Sequence, residues 1–339
     1  MTTLPASLKV RDSPGPPCLL MIGATNVGKT HYGGQLLRRL QRQTGQLRMV
    51  GTPPDLSVFQ EVCDCLADGR SAPHTSTNQY RESIWHVCSV DEILESELIW
   101  PDYKGEQVSR ITERRHVTEP WVQRIQKSDG WLLFVRLSLL RPPEDVLGRP
   151  RSREQMTARS EVAPEAEAND NKEANEGERG VDLSVSPASV GAEQVLPAVA
   201  LSDQARFVEL LQALLFVKQV GGNAPLRHPS LLIALSCWDE LPDLKREGGW
   251  EHPASLLRKR LPLLSQFIES HWEPDFVQVI GLSSLGKALD GAQRDPEFRD
   301  RGPERQGWCV LPDGTQSPDL TLPIARLIEI TKRGMNTQE

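Results

Sequence analysis

Short apolar runs alternate with segments of helical periodicity along most of this 339-residue chain. The apolar runs have strand length and lie at residues 17–23, 82–90, 98–101, 131–137, 231–235 and 276–280. The first periodic segment follows a turn at residues 23–30 and ends near residue 42, and the others span about 52–69, 202–217, 254–270 and 323–331. Strands alternate with helices after one hairpin-like pair, so the pattern predicts an α/β fold with a mostly parallel, doubly wound sheet and helices on both faces.

Residues 141–200 break this pattern. They show no hydrophobic periodicity and are rich in Glu, Ala, Pro, Ser, Asn and Gly, which predicts an acidic, low-complexity, disordered insertion. Such a segment either orders on a partner or is a tolerated expansion of the surface. We therefore predict a flexible tail at residues 1–16 and a single domain formed by residues 17–140 and 201–335.

A phosphate-binding signature follows the first predicted strand. Residues 23–30 read Gly-Ala-Thr-Asn-Val-Gly-Lys-Thr, which fits the Gly-x4-Gly-Lys-Thr pattern in full. In such a loop the backbone amides surround the phosphates, the lysine reaches the outer phosphates, and the threonine hydroxyl holds Mg²⁺. The loop predicts a nucleoside triphosphate ligand bound by Gly23, Ala24, Thr25, Asn26, Val27, Gly28, Lys29, Thr30 and the adjacent His31.

Polar residues also follow later strands, where ligands of α/β sheets bind. Asp102 and Gly105 form an Asp-x-x-Gly pattern, which can place a carboxylate near Mg²⁺ and a glycine amide near the terminal phosphate. Ser283 and Ser284 follow another strand and are similar to the short serine loop that supports guanine in GTPases.

The tetrapeptide Ser236-Cys237-Trp238-Asp239 resembles the guanine-specificity motif Asn/Thr-Lys-x-Asp of GTPases. Its aspartate is kept, and two carboxylate oxygens can accept hydrogen bonds from the guanine ring N–H and exocyclic amine together, a donor pair that adenine lacks. The lysine that normally packs over the base is replaced by Cys237. Trp238 is either a stacking substitute for this lysine or a core tryptophan.

In chain order, the phosphate loop, a threonine-bearing loop, Asp-x-x-Gly, strand-Asp and strand-Ser-Ser resemble the translation-factor-class, Ras-like P-loop GTPase domain. The resemblance runs from about residue 17 to 335 apart from the insertion, and the chain is most similar to the bacterial conflict-system double-GTPase families. It implies a three-layer P-loop NTPase fold, GTP and GDP as ligands, Mg²⁺, a nucleotide-dependent switch, and a protein effector or partner GTPase.

The resemblance also implies roles for single residues. Lys29 would stabilise charge on the outer phosphates. Thr30 and Asp102 would belong to the Mg²⁺ site, together with a threonine of the polar loop, either Thr77 or Thr75.

Two further positions bear on hydrolysis. Glu106 stands where many Ras-like GTPases carry a water-positioning glutamine, and its negative charge beside the phosphates predicts slow turnover. Asn26 stands where K⁺-activated GTPases carry an asparagine that binds the cation, although asparagine also suits tight turns. Arg110, Arg114 and Arg115 are either an arginine finger or a solvated basic stretch.

Composition indicates which partners and which cellular location to expect for the protein. The formal net charge is -7, and residues 151–200 contribute most of it with ten acidic and five basic side chains, so the basic surface of a nucleic-acid binder is not expected. No apolar run reaches the length of a membrane span, and the N-terminus lacks a signal-peptide pattern. We expect a cytoplasmic protein. Cys63 and Cys65 near His74 indicate a metal site or, alternatively, an ordinary apolar helix.

Two other functions fit the phosphate loop. An ATP-using P-loop ATPase or kinase would carry the same loop, with Trp238-Asp239-Glu240 as the nearest match to an ATPase acidic pair. A nucleotide-binding scaffold that does not hydrolyse its ligand would explain Glu106 and the altered guanine motif.

Overall fold

A nine-stranded sheet forms the centre of the molecule. The computed structural model describes residues 15–51, 53, 56–72, 81–102, 106–140, 180–182, 202–222, 224–241 and 244–336. In these residues the strands are β1 (Cys18–Ile22), β2 (Leu47–Met49), β3 (Arg81–Ser89), β4 (Glu95–Asp102), β5 (His116–Thr118), β6 (Gly130–Arg136), β7 (Gly180–Asp182), β8 (Ser230–Ser236), β9 (Lys245–Arg246), β10 (Gly249–Trp250), β11 (Val277–Ser283), β12 (Trp308–Val310) and β13 (Gln316–Ser317). β5 pairs with β7 and β9 with β10 outside the main sheet.

The order of the main sheet is β13-β12-β11-β8-β6-β1-β4-β3-β2. The five strands from β11 to β4 are parallel, whereas β2, β3, β12 and β13 extend the two edges in antiparallel orientation. Parallel strands end at one edge of a sheet, so β1, β4, β6, β8 and β11 bring their carboxyl ends together. The predicted α/β fold with a mostly parallel, doubly wound sheet is confirmed.

Helices cover both faces of the sheet. They are α1 (Lys29–Arg42), α2 (Ser57–Ala67), α3 (Glu106–Arg114), α4 (Glu119–Lys127), α5 (Asp203–Lys218), α6 (Pro253–Arg260), α7 (Pro262–His271), α8 (Pro296–Arg301) and α9 (Leu322–Asn336). On one face, α3 to α7 contribute buried residues such as Trp121, Leu211 and Leu264 to a core. On the other face, α1, α2 and α9 form a second core that includes Leu36 and Val62.

β1 shows why its sequence is an unbroken apolar run. Leu20 and Ile22 belong to the first core, while Leu19 and Met21 belong to the second. All four are almost fully buried, because successive side chains point to opposite faces and helices cover both. The carboxyl end of this rigid strand leads directly into the predicted phosphate loop.

The helix predicted at residues 254–270 is in fact two helices, so the prediction of one was wrong. α6 ends at Arg260 and α7 begins at Pro262, with Leu261 between them at φ -134° and ψ 61°. A residue before proline is sterically disfavoured in the α region, and proline cannot donate a helical hydrogen bond.

Two segments to which the sequence pattern assigned no helix or strand contain regular structure. The polar segment 104–119 forms α3 and β5, and the segment 281–320 includes α8, β12 and β13. Among the described side chains of α3, Val108, Ile111 and Thr112 are buried, so its apolar stripe is narrow and most of its positions are polar. The other unpredicted strands are two or three residues long, too short for a pattern of alternation.

Part of the predicted insertion is ordered. Gly180–Asp182 forms β7 and pairs antiparallel with β5, with Val181 opposite Val117. The prediction for residues 141–200 did not anticipate this strand, because three residues carry too little periodicity to identify one. The other residues of the insertion, and residues 1–14 of the predicted tail, lie outside the described residues.

The two cysteines considered as metal ligands lie on α2. Phe59, Val62 and Leu66 of this helix are buried, in agreement with the apolar-helix interpretation, while His74 lies outside the described residues. Over the described ranges, no group of three or more His, Cys, Asp or Glu side chains is placed to hold a metal ion. In the same ranges, no helix is long and apolar enough to cross a membrane.

Candidate nucleotide-binding site

The phosphate loop joins the carboxyl end of β1 to the first turn of α1. Gly28 has a left-handed backbone with φ 79°, and Asn26 has φ 64°. Glycine and asparagine are the residue types that adopt this conformation most readily. The Tyr32 N–H donates to Gly28 O at 2.9 Å, which closes the first turn behind the loop. The positive end of the α1 dipole therefore lies at the loop.

The Lys29 ammonium group is held over the loop. Its Nζ donates to Gly23 O at 2.7 Å and to Ala24 O at 3.4 Å. A side chain at Gly23 has no room, because a Cβ there would lie 2.9 Å from Val27 Cγ2 and 3.0 Å from Phe134 Cβ. The positive charge is thus placed within the curve of backbone that the motif predicts to surround phosphates.

The remaining loop side chains differ in exposure. Thr25 and Asn26 are exposed, Thr30 is half-buried at the start of α1, and Val27 is buried in the core. Val27 can therefore contribute its backbone to a ligand but not its side chain. The exposed amide of Asn26 is accessible to a cation from solvent.

His31 connects α1 to the segment before the predicted threonine loop. Its Nε2 accepts a hydrogen bond from the Ala72 N–H at 3.1 Å, so this nitrogen carries no proton in the contact. Ala72 is the last described residue before 73–80. The direct role of His31 in nucleotide binding stays a prediction.

Thr30 lies in the first turn of α1 at the end of the phosphate loop, and the backbone of Asp102 ends the strand β4 that lies beside that loop. β1 and β4 are parallel neighbours with Leu20 opposite Ile99. Gly23 and Asp102 each lie three residues beyond that pair, so the end of β4 lies beside the start of the phosphate loop. A hydroxyl and a carboxylate are hard oxygen donors of the kind that Mg²⁺ prefers, so these residue types suit the metal, and their role in binding it stays a prediction.

Other predicted residues of the phosphate and metal site are not tested. Thr75, Thr77 and Gly105 lie outside the described residues, and Glu106 is the first residue of α3. Their predicted roles stay predictions. Of the three arginines after Glu106, Arg115 forms an ion pair with Glu209 of α5, with Nε and Oε1 2.7 Å apart.

Asp239 and Ser283 come together at the carboxyl edge of the sheet. β8 and β11 are parallel neighbours, and each ends just before or at one of the two residues. Ser283 Oγ donates to Asp239 Oδ1 at 2.5 Å and accepts from the Gly286 N–H at 2.9 Å. Ser283 is fully buried, so its hydroxyl orients the Asp239 carboxylate. Ser284 is half-buried beside it.

The structure decides between the two interpretations of Trp238. Its side chain is fully buried and packs against Gly281, where a Cβ would lie 2.5 Å from the indole ring. Trp238 is therefore a core residue and does not stack on a base. The next residue towards β8, Cys237, has φ 53°, and burial raises the pKa of its thiol to about 12. Cys237 is thus a neutral thiol where the GTPase motif carries a lysine.

A charged network that sequence patterns did not indicate joins these parts. Arg136, at the end of β6, donates from Nη1 to Asn26 O at 2.8 Å. It also donates to both carboxylate oxygens of Glu240, the residue after Asp239. In the sequence, the sign of this network is a single arginine at the end of an otherwise apolar strand. Its partners could not be identified from the sequence because they lie far away along the chain.

One protein-family profile matches most of this chain. The profile of the Double-GTPase 1 family (DO-GTPase1) matches residues 20–327. No curated protein sequence matches the chain. Among solved structures, the chain is similar to the RocCORdC fragment of Methanosarcina barkeri Roco2 bound to GDP, with 12% sequence identity and a TM-score of 0.27. The match covers 82% of this chain and 46% of that chain, so this chain spans less than half of the Roco2 fragment.

The family match extends over most of the sequence and includes the phosphate loop, the strand that precedes Asp239, and Ser283. It confirms the predicted resemblance to P-loop GTPases and, within them, to double-GTPase families. The chain belongs to the Double-GTPase 1 family of P-loop GTPases.

Proposed function

We propose that this protein binds the phosphates of GTP and GDP in the loop at residues 23–30 and recognises guanine through Asp239. The contact between Ser283 and Asp239 is the observation that carries this proposal. It holds a carboxylate, the group suited to the paired donors of guanine, at the sheet edge that also bears the phosphate loop. Ser284 would support the base through its backbone, and family membership supports guanine as the base.

The proposed reaction is slow, Mg²⁺-dependent hydrolysis of the terminal phosphate. Thr30 and Asp102 would hold the metal together with Thr77 or Thr75, and the metal would neutralise charge on the outer phosphates. Lys29 would stabilise the same charge. We expect slow turnover because Glu106 places a negative charge where a neutral glutamine would position water.

The proposed biological role is that of a nucleotide-dependent switch. The contact between His31 and Ala72 supports it, since it fixes one end of the segment that would respond to the terminal phosphate. A protein effector or partner GTPase would read the switch, in a bacterial conflict system. Proteolytic cleavage between residues 72 and 81 should then differ between the GDP form and a form bound to a non-hydrolysable GTP analogue.

The base-recognition part of the proposal is tested by Asp239→Asn. An amide in place of the carboxylate loses one of the two acceptors for guanine and presents a donor to the 2-position oxygen of xanthine. We expect the variant to lose affinity for GTP by about tenfold or more and to gain preference for xanthosine triphosphate. Competition of GTP, ATP and xanthosine triphosphate against a fluorescent nucleotide measures both effects.

Asp275→Asn is the matched control. Asp275 is exposed and precedes the amino-terminal end of β11, whereas Asp239 lies at the carboxyl ends of the parallel strands. The control should behave as the wild type. Unchanged selectivity of Asp239→Asn, or equal affinity of the wild type for ATP and GTP, would contradict guanine recognition by Asp239.

A further inference from the structure

We propose that Arg136 is the positioning residue that couples the phosphate loop to the guanine-reading turn, and that it thereby sets the contribution of the base to nucleotide affinity. This role rests on the proposed function. Arg136 is the last residue of β6, which lies between β1 and β8 in the sheet. It therefore stands between the strand that enters the phosphate loop and the strand that leads to Asp239.

The first contact of Arg136 is with the phosphate loop. Its Nη1 donates to Asn26 O at 2.8 Å. Asn26 is one of two left-handed residues of the loop, with φ 64°, so this hydrogen bond holds a carbonyl at a point where the loop turns. The contact is with backbone, and it is independent of the amide side chain at this position.

The second contact is with the guanine-reading turn. Nε and Nη2 of Arg136 donate to Glu240 Oε2 at 2.9 Å and Oε1 at 2.6 Å, a bidentate pair. Ser138 Oγ donates to Glu240 Oε2 at 2.6 Å and adds a third hydrogen bond. About a quarter of each charged side chain is exposed, 24% for Arg136 and 25% for Glu240, so water screens the pair only in part. The planar guanidinium fixes both position and direction of its partners.

Asp239 is consequently held from two sides. Ser283 orients its carboxylate, while the next residue, Glu240, is fixed to Arg136 and through it to the phosphate loop. The ribose of a nucleotide sets the separation between base and phosphates. When the phosphate loop and the guanine-reading turn are already held at the separation that the nucleotide requires, the site loses less entropy on binding than it would if the two parts were mobile. Arg136 is the group that sets this separation.

Arg136 also supplies the positive charge that the motif lacks. Cys237 occupies the lysine position as a thiol, and the Arg136 guanidinium lies close enough to act on the pKa of that thiol, although burial dominates and raises it. The cation therefore comes from the adjacent strand, in which Arg136 is paired in register with Ser236.

The experiment compares GTP with inorganic tripolyphosphate, which occupies only the phosphate loop. Arg136→Met should weaken GTP binding by about tenfold more than it weakens tripolyphosphate binding, since coupling between two halves of a site is of this size. Arg136→Lys keeps the charge but cannot bind Asn26 and both Glu240 oxygens at once, so an intermediate loss is expected. Displacement of a fluorescent GDP analogue measures both ligands.

Two further variants distinguish the positioning role of Arg136 from a general effect of its substitution on the stability of the fold. Arg227→Met removes an arginine from another arginine–glutamate pair, with Glu273, distant from the site, and should leave both affinities unchanged. Glu240→Gln should reproduce the selective loss of GTP affinity, and the double variant with Arg136→Met should lose no more than Arg136→Met alone. If Arg136→Met does not fold, Glu240→Gln carries the test.

The outcomes distinguish this inference from the proposed function. Equal losses of GTP and tripolyphosphate affinity, or no loss, with guanine preference intact in the wild type, would overturn the role of Arg136 and leave GTP binding standing. A wild type that binds GTP no better than ATP would overturn guanine recognition itself. A wild type that binds GTP no better than tripolyphosphate would overturn both, because the base would then contribute nothing that Arg136 could couple.

Discussion

Asn26 combines two properties in one residue of the phosphate loop. Its backbone has φ 64° and offers its carbonyl to Arg136, while its side chain is exposed to solvent. Glycine adopts the same backbone without strain and keeps the carbonyl. Substitution by glycine therefore removes the amide alone, which separates the proposed K⁺ role from the turn conformation.

We predict that the wild type hydrolyses GTP several-fold faster in KCl than in NaCl at matched ionic strength, and that Asn26→Gly removes the difference. The physical reason is that a cation held by the amide oxygen would neutralise charge that develops on the phosphates. Phosphate release under saturating GTP and Mg²⁺ is the measurement. Thr25→Ala changes the neighbouring exposed loop residue and should keep the K⁺ effect. Equal wild-type rates in the two salts would remove K⁺ from the mechanism.

Among the secondary-structure elements, α1 has the most direct effect on the site, because the phosphate-loop lysine is its first residue. α1 packs closely on α2 and β4 through Gly33, where a Cβ would lie 2.2 Å from Phe59 Cε1 and 2.9 Å from Trp100 Cζ2. The two aromatic rings are stacked, with centroids 5.5 Å apart. A glycine in mid-helix is locally unfavourable, so its presence here indicates that close approach of the helix is required.

We predict that Gly33→Ala lowers the free energy of unfolding by about 1–3 kcal/mol, despite the higher helix propensity of alanine, because the methyl group has no space. Gly34→Ala is the matched control in the same helix. A Cβ at Gly34 would lie 3.0 Å from Val62 Cγ1, a tight contact that a small shift of valine can relieve. Urea denaturation should show a smaller loss for Gly34→Ala. A stabilised Gly33→Ala would mean that α1 packs less closely on α2.

At the scale of the whole molecule, the segment between β6 and α5 pairs with the rest of the domain through β7. β7 pairs with β5, and Val117 of β5 is fully buried in the first core. Ser202 then caps α5 by accepting a hydrogen bond from the Ala205 N–H at 3.3 Å. The segment is therefore connected to the domain at β7 as well as at its two ends.

We predict that deletion of residues 145–198, which removes β7, lowers Tm but changes the Kd for GDP by no more than about twofold, because β7 pairs with β5 outside the sheet that carries the phosphate loop. Deletion of residues 183–198 keeps β7 and should leave Tm close to that of the wild type. Thermal unfolding and GDP titration of both variants test this. A large loss of GDP affinity in the longer deletion would indicate that the segment contributes to the site.

The loop at residues 23–30 was predictable because its chemistry is local. Eight consecutive residues contain the glycines that allow close approach of backbone, the lysine and the threonine, so no knowledge of distant contacts was required. The same holds for β1, whose burial on both faces appears in the sequence as a continuous apolar run. The helix α3 was missed because few of its residues are apolar, and the break at Leu261 was missed because it depends on a single residue before proline.

The sequence by itself determined the five central strands β1, β4, β6, β8 and β11, the phosphate loop and the candidate base reader Asp239, since each is encoded in residues adjacent along the chain. Only the tertiary structure decided that Ser283 orients Asp239, that Trp238 belongs to the core, and that Arg136 joins Asn26 to Glu240. These contacts link residues 44 to 110 positions apart. They exist because parallel strands, each followed by a crossover helix, bring distant chain segments to one edge of the sheet.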